Sequence, residues 1–216
     1  MTDAHYHRNG GTFLSVQSRE YAFAGVHPWR AETFDRAALR ERLSADPASG
    51  VGEIGLDRLR TKTVPEIQRA VFSAQLELAA EFRRPVVLHG AKCWGEVVKT
   101  CRPFAGRIPA FLFHGFSRSE GLLPDIAAIN GFVSVGKAVL NDHAVNYREL
   151  VKKIPPARLL AETDFDPDAG GDADAPSISA VTAKICELTG VGESELADNT
   201  AEFIKALSDV CAGKVG

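Results

Sequence analysis

Short apolar segments, many closed by a polar residue or glycine, alternate with helical stretches along most of this 216-residue chain, and that rhythm restricts the fold more than any other feature. The sequence predicts strands at 3–7 (DAHYH), 12–16 (TFLSV), 21–26 (YAFAGV), 51–56 (VGEIGL), 85–89 (PVVLH), 109–114 (PAFLFH), 131–136 (GFVSVG) and 158–163 (RLLAET). Helical patterns fill most gaps: 31–44, 65–83, 93–102, 118–129, 142–153, 178–189 and 195–209, with Gly190 and Gly192 marking a break between the last two. The clearest is 65–83, where Ile67, Val71, Phe72, Leu76 and Ala79 recur with helical period. Strands alternating with helices imply βαβ units around a parallel sheet. Eight strands in a chain of this size fit a TIM-like (β/α)8 barrel over residues 1–216 as one domain; a doubly wound open sheet is the alternative. No G-x-G-x-x-G follows a strand and G-x-x-x-x-G-K-[ST] does not occur, so nucleotide-fold fingerprints are missing.

The start departs from a regular barrel, and residues 8–22 are expected to be abbreviated or distorted. The links between 3–7, 12–16 and 21–26 are far too short for a parallel crossover of about a dozen residues. Asn9-Gly10 is a strong hairpin signal. Residues 12–16 should therefore run antiparallel to a neighbour or leave the barrel.

Polar residues stand at or near the ends of five of the eight strands: His5 and His7, Glu53, His89, His114 and Asp164. Any one of these is commonly a satisfied polar group. In a barrel, however, the C-terminal strand ends share one face. Four histidines and two carboxylates would converge there, enough for two divalent cations with a shared carboxylate. His5 and His7, one residue apart on a strand, project to the same side.

Composition removes other classes. The net charge of −3 is not that of an electrostatic nucleic-acid binder, so any phosphate contact must be local. No apolar run of about eighteen residues indicates a membrane span. No secretory leader opens the chain, and Cys93, Cys101, Cys186 and Cys211 lack C-x-x-C spacing. The expectation is a cytoplasmic protein with reduced thiols and no membrane partner. A serine nucleophile is not supported, since G-x-S-x-G is absent.

The motifs "DAHYH", "YAFAGVHPW", "GEIGLD", "QLELAAEFRRPVVLH", "HGFSRS" and "RLLAETD" resemble, in order, those of TatD-type metal-dependent hydrolases, with a weaker match in "VGESELADNTAEFI". The resemblance implies a TIM-like barrel with a two-metal site held by His5, His7, Glu53, His89, His114 and Asp164. It also implies deoxyribonuclease activity or, in some members, removal of D-amino acids from tRNA. The chain departs from the family pattern in its shortened start, in Ala91-Lys92 where the family often has Arg, and in "DFDPDAGGDADA" after "ETD".

The reading is a metal-dependent hydrolase in which a two-metal centre (Zn, Mn, Mg or Fe) activates water. The substrate is expected to be DNA or another phosphate ester. Glu53 bridges; His5 and His7 hold one ion with Asp164; His89 and His114 hold the other; Asp164 is also the general base. The alternatives are hydrolysis of another ester or amide, such as a D-aminoacyl-tRNA, and a metal-binding barrel without turnover. His27 could meet substrate, support the site or pack a loop. Glu162 could accept a hydrogen bond from a ligating imidazole or form a core ion pair. Lys92 and Arg118 are substrate-contact candidates among basic residues, with Arg8, Arg30, Arg58 and Lys137, that follow strands. Asp166, Asp168, Asp172 and Asp174 oppose that charge, and His143 reads as solvated surface.

Overall fold

Two tight turns build the first wall of the molecule. The computed structural model describes residues 2–60, 62–167 and 177–213. β1 (Asp3–Arg8) turns through Asn9 and Gly10, at φ 50° and 69°, into β2 (Gly11–Val16). β2 turns through Gln17 and Ser18, at φ 49° and 71°, into β3 (Arg19–Ala24). Both links have left-handed backbone at their two central residues, the geometry that suits the twist of a two-residue hairpin. Asn-Gly announces the first; Gln-Ser gives no comparable signal for the second. β2 is antiparallel to both neighbours, so β1 and β3 point the same way without a helical crossover.

The remaining strands are parallel and follow in order: β4 (Gly50–Asp57), β5 (Val86–Ala91), β6 (Phe111–Phe113), β7 (Gly131–Val135) and β8 (Leu159–Ala161). Beyond β8 the chain closes onto β1, with Asp164 N–H donating to the His5 carbonyl (3.0 Å) and His7 N–H to that of Phe165 (2.7 Å). The result is a TIM-like barrel whose early crossover has been replaced by a hairpin.

Alternation divides each strand's residues between lumen and jacket. Leu14, Val16, Tyr21, Phe23, Val87, Leu112, Phe132 and Leu160 form the interior cluster, closed by Phe203, Ile204 and Leu207. Val86, Leu88, Phe111, Phe113, Val133, Val135 and Leu159 face outward under the helices. These are α1 (Arg36–Ala45), α2 (Pro65–Glu81), α3 (Trp94–Cys101), α4 (Leu123–Ala128), α5 (Val145–Val151), α6 (Ile178–Thr189), α7 (Glu193–Phe203) and α8 (Lys205–Cys211). The expected helix at 31–44 is a 3-10 turn over 28–33 followed by α1, which the Asp35 side chain caps. The expected helix at 195–209 is two helices that break at Ile204, where the chain turns under the lumen.

No helix among the described residues covers the outer face of β1 and β2. Their own side chains do so: Tyr6 stacks on Phe13 (centroids 5.9 Å), Arg8 lies over the Phe13 ring, and Glu20 binds both Tyr6 Oη and the Arg8 guanidinium. The α2 face is more polar than its apolar stripe suggests. Ile67 is partly exposed, while Gln68 and Gln75 are buried beside Phe72 and Leu76. No described helix is long and apolar enough to cross a membrane.

Candidate metal centre

Glu53 lies at the centre of the site. It is buried at 6% exposure, and its two carboxylate oxygens face different partners. On the Oε2 side, His5 Nε2 lies at 3.6 Å and His7 Nε2 at 3.5 Å. Asp164 Oδ1 stands 3.4 Å from His5 Nε2 and 3.7 Å from His7 Nε2. These four separations exceed hydrogen-bonding distance. They match the spacing of about 3.0–3.6 Å between ligands that share one cation at zinc-like bond lengths. Both ring nitrogens of His5 are fully buried without a hydrogen-bond partner, a costly condition for a polar group. The donor set of imidazoles and carboxylates and the orphaned His5 nitrogens fit a divalent cation.

On the Oε1 side, His89 Nδ1 approaches to 2.7 Å, His114 Nε2 to 2.6 Å and His27 Nε2 to 3.6 Å. Three groups have potential ligand atoms within 4.8 Å of one another: His5, His7 and Glu53; His5, His114 and Asp164; and His27, Glu53 and His89. His114 therefore reaches toward both sides, and His27 joins the cluster more closely than a loop-packing residue would.

Electrostatics follow from these contacts. Burial by itself raises the Glu53 carboxyl, but His114, hydrogen-bonded to it, and the neighbouring His27 and His5 hold it well below its ordinary range. Burial also opposes ionisation of Asp164, yet the facing His5 and His7 imidazoles bring it well below the usual carboxylate value. Burial disfavours a charged His5, but Asp164 and Glu53 outweigh it and raise the imidazole well above its ordinary value. His89 is opposed by burial in the same way and is raised to about 9 by Asp57 and Glu53. His27 is lowered, chiefly by burial. The pocket thus favours positive charge between two carboxylates.

Several groups that position the site were not singled out in the sequence. Asp57 is buried; its Oδ2 meets His89 Nε2 at 3.0 Å and accepts from Trp29 Nε1 at 2.7 Å, while Oδ1 accepts the N–H groups of Leu59 and Arg60. The signal was available, since Asp57 closes "GEIGLD". Asp3 ties β1 to the loop after β8: Oδ1 accepts from Thr163 N–H (3.0 Å) and Oδ2 from Thr163 Oγ1 (2.7 Å). The next residue, Asp164, holds a left-handed φ of 51°, sparsely populated for a side chain and fixed here by its N–H bond to His5. Gln68 pairs with both backbone groups of Asp57, and Gln75 with both of Val26, the residue before His27. Gly55 meets a different demand: at φ +147° a Cβ would lie 2.0 Å from the His89 carbonyl oxygen.

Glu162 is buried at 1% exposure and accepts from Gly115 N–H (2.8 Å) and Ser134 Oγ. Its Oε1 is 4.0 Å from His114 Nδ1, which has no hydrogen-bond partner of its own. Burial raises its pKa. Arg118 and Lys137 line a neighbouring cavity of about 1100 Å³ together with Glu162 and Asp164. Exposed His143 lines that same cavity. Lys92 is exposed and lines neither this cavity nor that of the metal cluster, which is about 510 Å³. Arg8 and Arg58 are paired with Glu20 and Glu96. Arg30 and Asp166 line the metal-cluster cavity, while Asp168, Asp172 and Asp174 lie outside the described residues. All four cysteines are unpaired.

A protein of Pectobacterium carotovorum named 3'-5' ssDNA/RNA exonuclease TatD is 34% identical over 148 residues, 67% of this chain and 57% of that relative. The uncharacterized metal-dependent hydrolase YabD of Bacillus subtilis is 30% identical over 195 residues, 87% of this chain and 76% of the relative. The crystal structure of YJJV, a TatD homolog from Escherichia coli K12, superposes with a TM-score of 0.73 at 27% identity, covering 87% of this chain and 76% of that one. The chain spans 57% of the length of the first curated relatives it matches. The family model described as TatD related DNase matches residues 5–208, and the chain belongs to that family.

Proposed function

We propose that this protein is a metal-dependent phosphodiesterase that removes nucleotides from the 3' end of single-stranded DNA or RNA. The observation that supports it most is the arrangement around Glu53, where imidazole and carboxylate atoms from both sides of the barrel stand at the spacing of shared ligands. The substrate reading draws on the relatives named as exonucleases. His5, His7, Asp164 and Glu53 Oε2 would hold one divalent ion; Glu53 Oε1, His89 and His114, with His27 beside them, would hold a second. Divalent cations there would supply Lewis acidity toward the phosphate and a lowered water pKa.

The chain's own residues supply the rest. Glu53 sets the separation of the two sides through a single carboxylate. Asp164 is nearly half exposed, ionised at neutral pH and directed at the cavity, so it accepts the proton of the attacking water. Asp57 holds His89 in place by its Nε2, leaving Nδ1 toward Glu53. Glu162, fixed by Gly115 and Ser134, faces the Nδ1 of His114 and favours the tautomer with Nε2 directed at Glu53.

The test is incubation of the metal-stripped and manganese-loaded protein with end-labelled single-stranded DNA and, separately, with an aminoacyl ester. Mononucleotide release that depends on added metal supports the proposal. Ester hydrolysis without nucleotide release rejects it in favour of a different ester substrate.

A further inference from the structure

Trp29 is an unusual residue at the edge of a metal cluster. Its side chain is 48% exposed, although an indole gains from burial. Two contacts set its orientation: Nε1 donates to the buried Asp57 carboxylate at 2.7 Å, and the ring is T-shaped to His27 at 4.7 Å between centroids. His27 Nε2 is in turn 3.6 Å from Glu53 Oε1. One imidazole therefore separates the indole from the central carboxylate, on the side away from His5, His7 and Asp164. The same cavity is lined by Arg30 and Arg42, neither of which has an ion-pair partner among the described residues. Leu59, 55% exposed, hangs from the same Asp57 through its backbone N–H.

An aromatic face fixed by its polar edge, open to solvent and next to unpaired guanidinium groups, is the arrangement that receives a nucleobase. We propose that Trp29 is the stacking platform for the base of the nucleotide at the cleavage site, so that the site selects ends whose bases are unpaired. This inference rests on the phosphodiesterase reading. A base within a duplex has both faces covered by its neighbours and cannot lie on the indole without leaving the stack. The platform would therefore discriminate single strands from duplex ends without reading sequence, because every base has a π-face.

The chain has two tryptophans, and Trp94 is buried at 5% exposure against Phe113 and Phe116. Intrinsic fluorescence quenching by an added oligonucleotide thus reports on Trp29. Titration of the metal-stripped protein with single-stranded oligothymidylate should quench saturably; a blunt duplex of the same length should not. With manganese, Trp29→Ala should lose about five- to a hundredfold in kcat/KM, and Trp29→Phe, which keeps a ring but not the bond to Asp57, should lose far less. On an oligonucleotide whose 3'-terminal nucleotide is abasic, Trp29→Ala and the parent should be alike. Equal losses in the Phe and Ala variants, or an undiminished loss on the abasic substrate, would show that Trp29 only positions Asp57 and would overturn the proposal. A parent that cleaves no nucleic acid with any divalent metal would instead overturn the function on which it rests.

Discussion

The two oxygens of Glu53 face different surroundings. Toward Oε2, the nitrogens of His5 and His7 stay 3.5–3.6 Å away, and His5 has no hydrogen bond at either ring nitrogen. Toward Oε1, His89 and His114 come within 2.6–2.7 Å, close enough to donate protons to the carboxylate. The outer atoms differ as well. Asp164, which completes the Oε2 side, is half exposed and on a loop, whereas Asp57, behind the Oε1 side, is buried and saturated with hydrogen bonds. Rigid packing of the Oε1 side and an open carboxylate on the Oε2 side assign them different work. On the proposed phosphodiesterase reading, the first would orient the substrate and the second would handle the proton.

The largest effect should come from the group both sides share. Glu53→Gln keeps the size of the side chain but removes the charge that both halves use. It should abolish measurable turnover and lower metal content on both sides, read by mass spectrometry beside a thermal melt that checks folding. Near-normal metal content would show that the bridge is not needed to hold the ions.

Next come the two sides taken separately. Asp164→Asn should retain metal yet lose about a hundredfold to ten-thousandfold in turnover, the usual contribution of a general base. His114→Ala removes a group from the Oε1 side and should be partly rescued by excess manganese, while Asp164→Asn should not. If both variants respond alike to metal, the division of labour is wrong.

Asp57→Asn tests the rigid side more gently. An amide keeps one acceptor oxygen, so it can serve Trp29 or the N–H groups of Leu59 and Arg60 but not both, and it also loses the charge facing His89. A fall of about ten- to a hundredfold in metal affinity or turnover is expected, as for other partners of ligating histidines. An Asp57→Asn variant equal to the parent would mean that His89 is held by packing alone.

How far the sequence exposed this division is itself uneven. The barrel was legible because strand and helix periods alternate, and the antiparallel course of β2 because the links from β1 and to β3 are too short for a crossover. The six residues that gather at the Glu53 carboxylate were legible as a group because each lies on a strand or just past its end. Asp57 and Asp3 were not, although both stand inside recognised motifs, because a carboxylate that serves another side chain has the same local pattern as one that serves solvent. Gln68 and Gln75 were hidden for a different reason. Their seven-residue spacing matches the helix face, but hydrophobic periodicity marks only apolar residues, and these two polar side chains are buried where each satisfies both backbone groups of one residue, Asp57 at the end of β4 and Val26 after β3. His27 was left between roles because its distance to Glu53 depends on how the loop after β3 enters the 3-10 turn at Pro28.

The smallest effect should come from the outer face of the Oε2 side. β1 alternates His5 and His7 inward with Tyr6 and Arg8 outward, and the outward pair is held by Glu20 from β3. Because no helix among the described residues covers this face, the hairpin's own side chains provide its cover, and the question is whether they also set the histidines. Glu20→Gln weakens the interactions with Tyr6 and Arg8 while leaving the Tyr6–Phe13 stack. The Arg8–Glu20 pair is largely exposed on both sides, so solvent and salt screen it. The expected result is a melting temperature lowered by no more than about 4 °C, with metal content and turnover equal to the parent. The inner face is fixed separately, by the bonds from Asp164 to the His5 carbonyl and from His7 to that of Phe165, and by Asp3 holding Thr163. A turnover loss in Glu20→Gln without a matching loss of stability would contradict that separation. It would mean that the position of His5 and His7 is transmitted through the strand from its solvent side, so that the open half of the centre depends on an exposed ion pair.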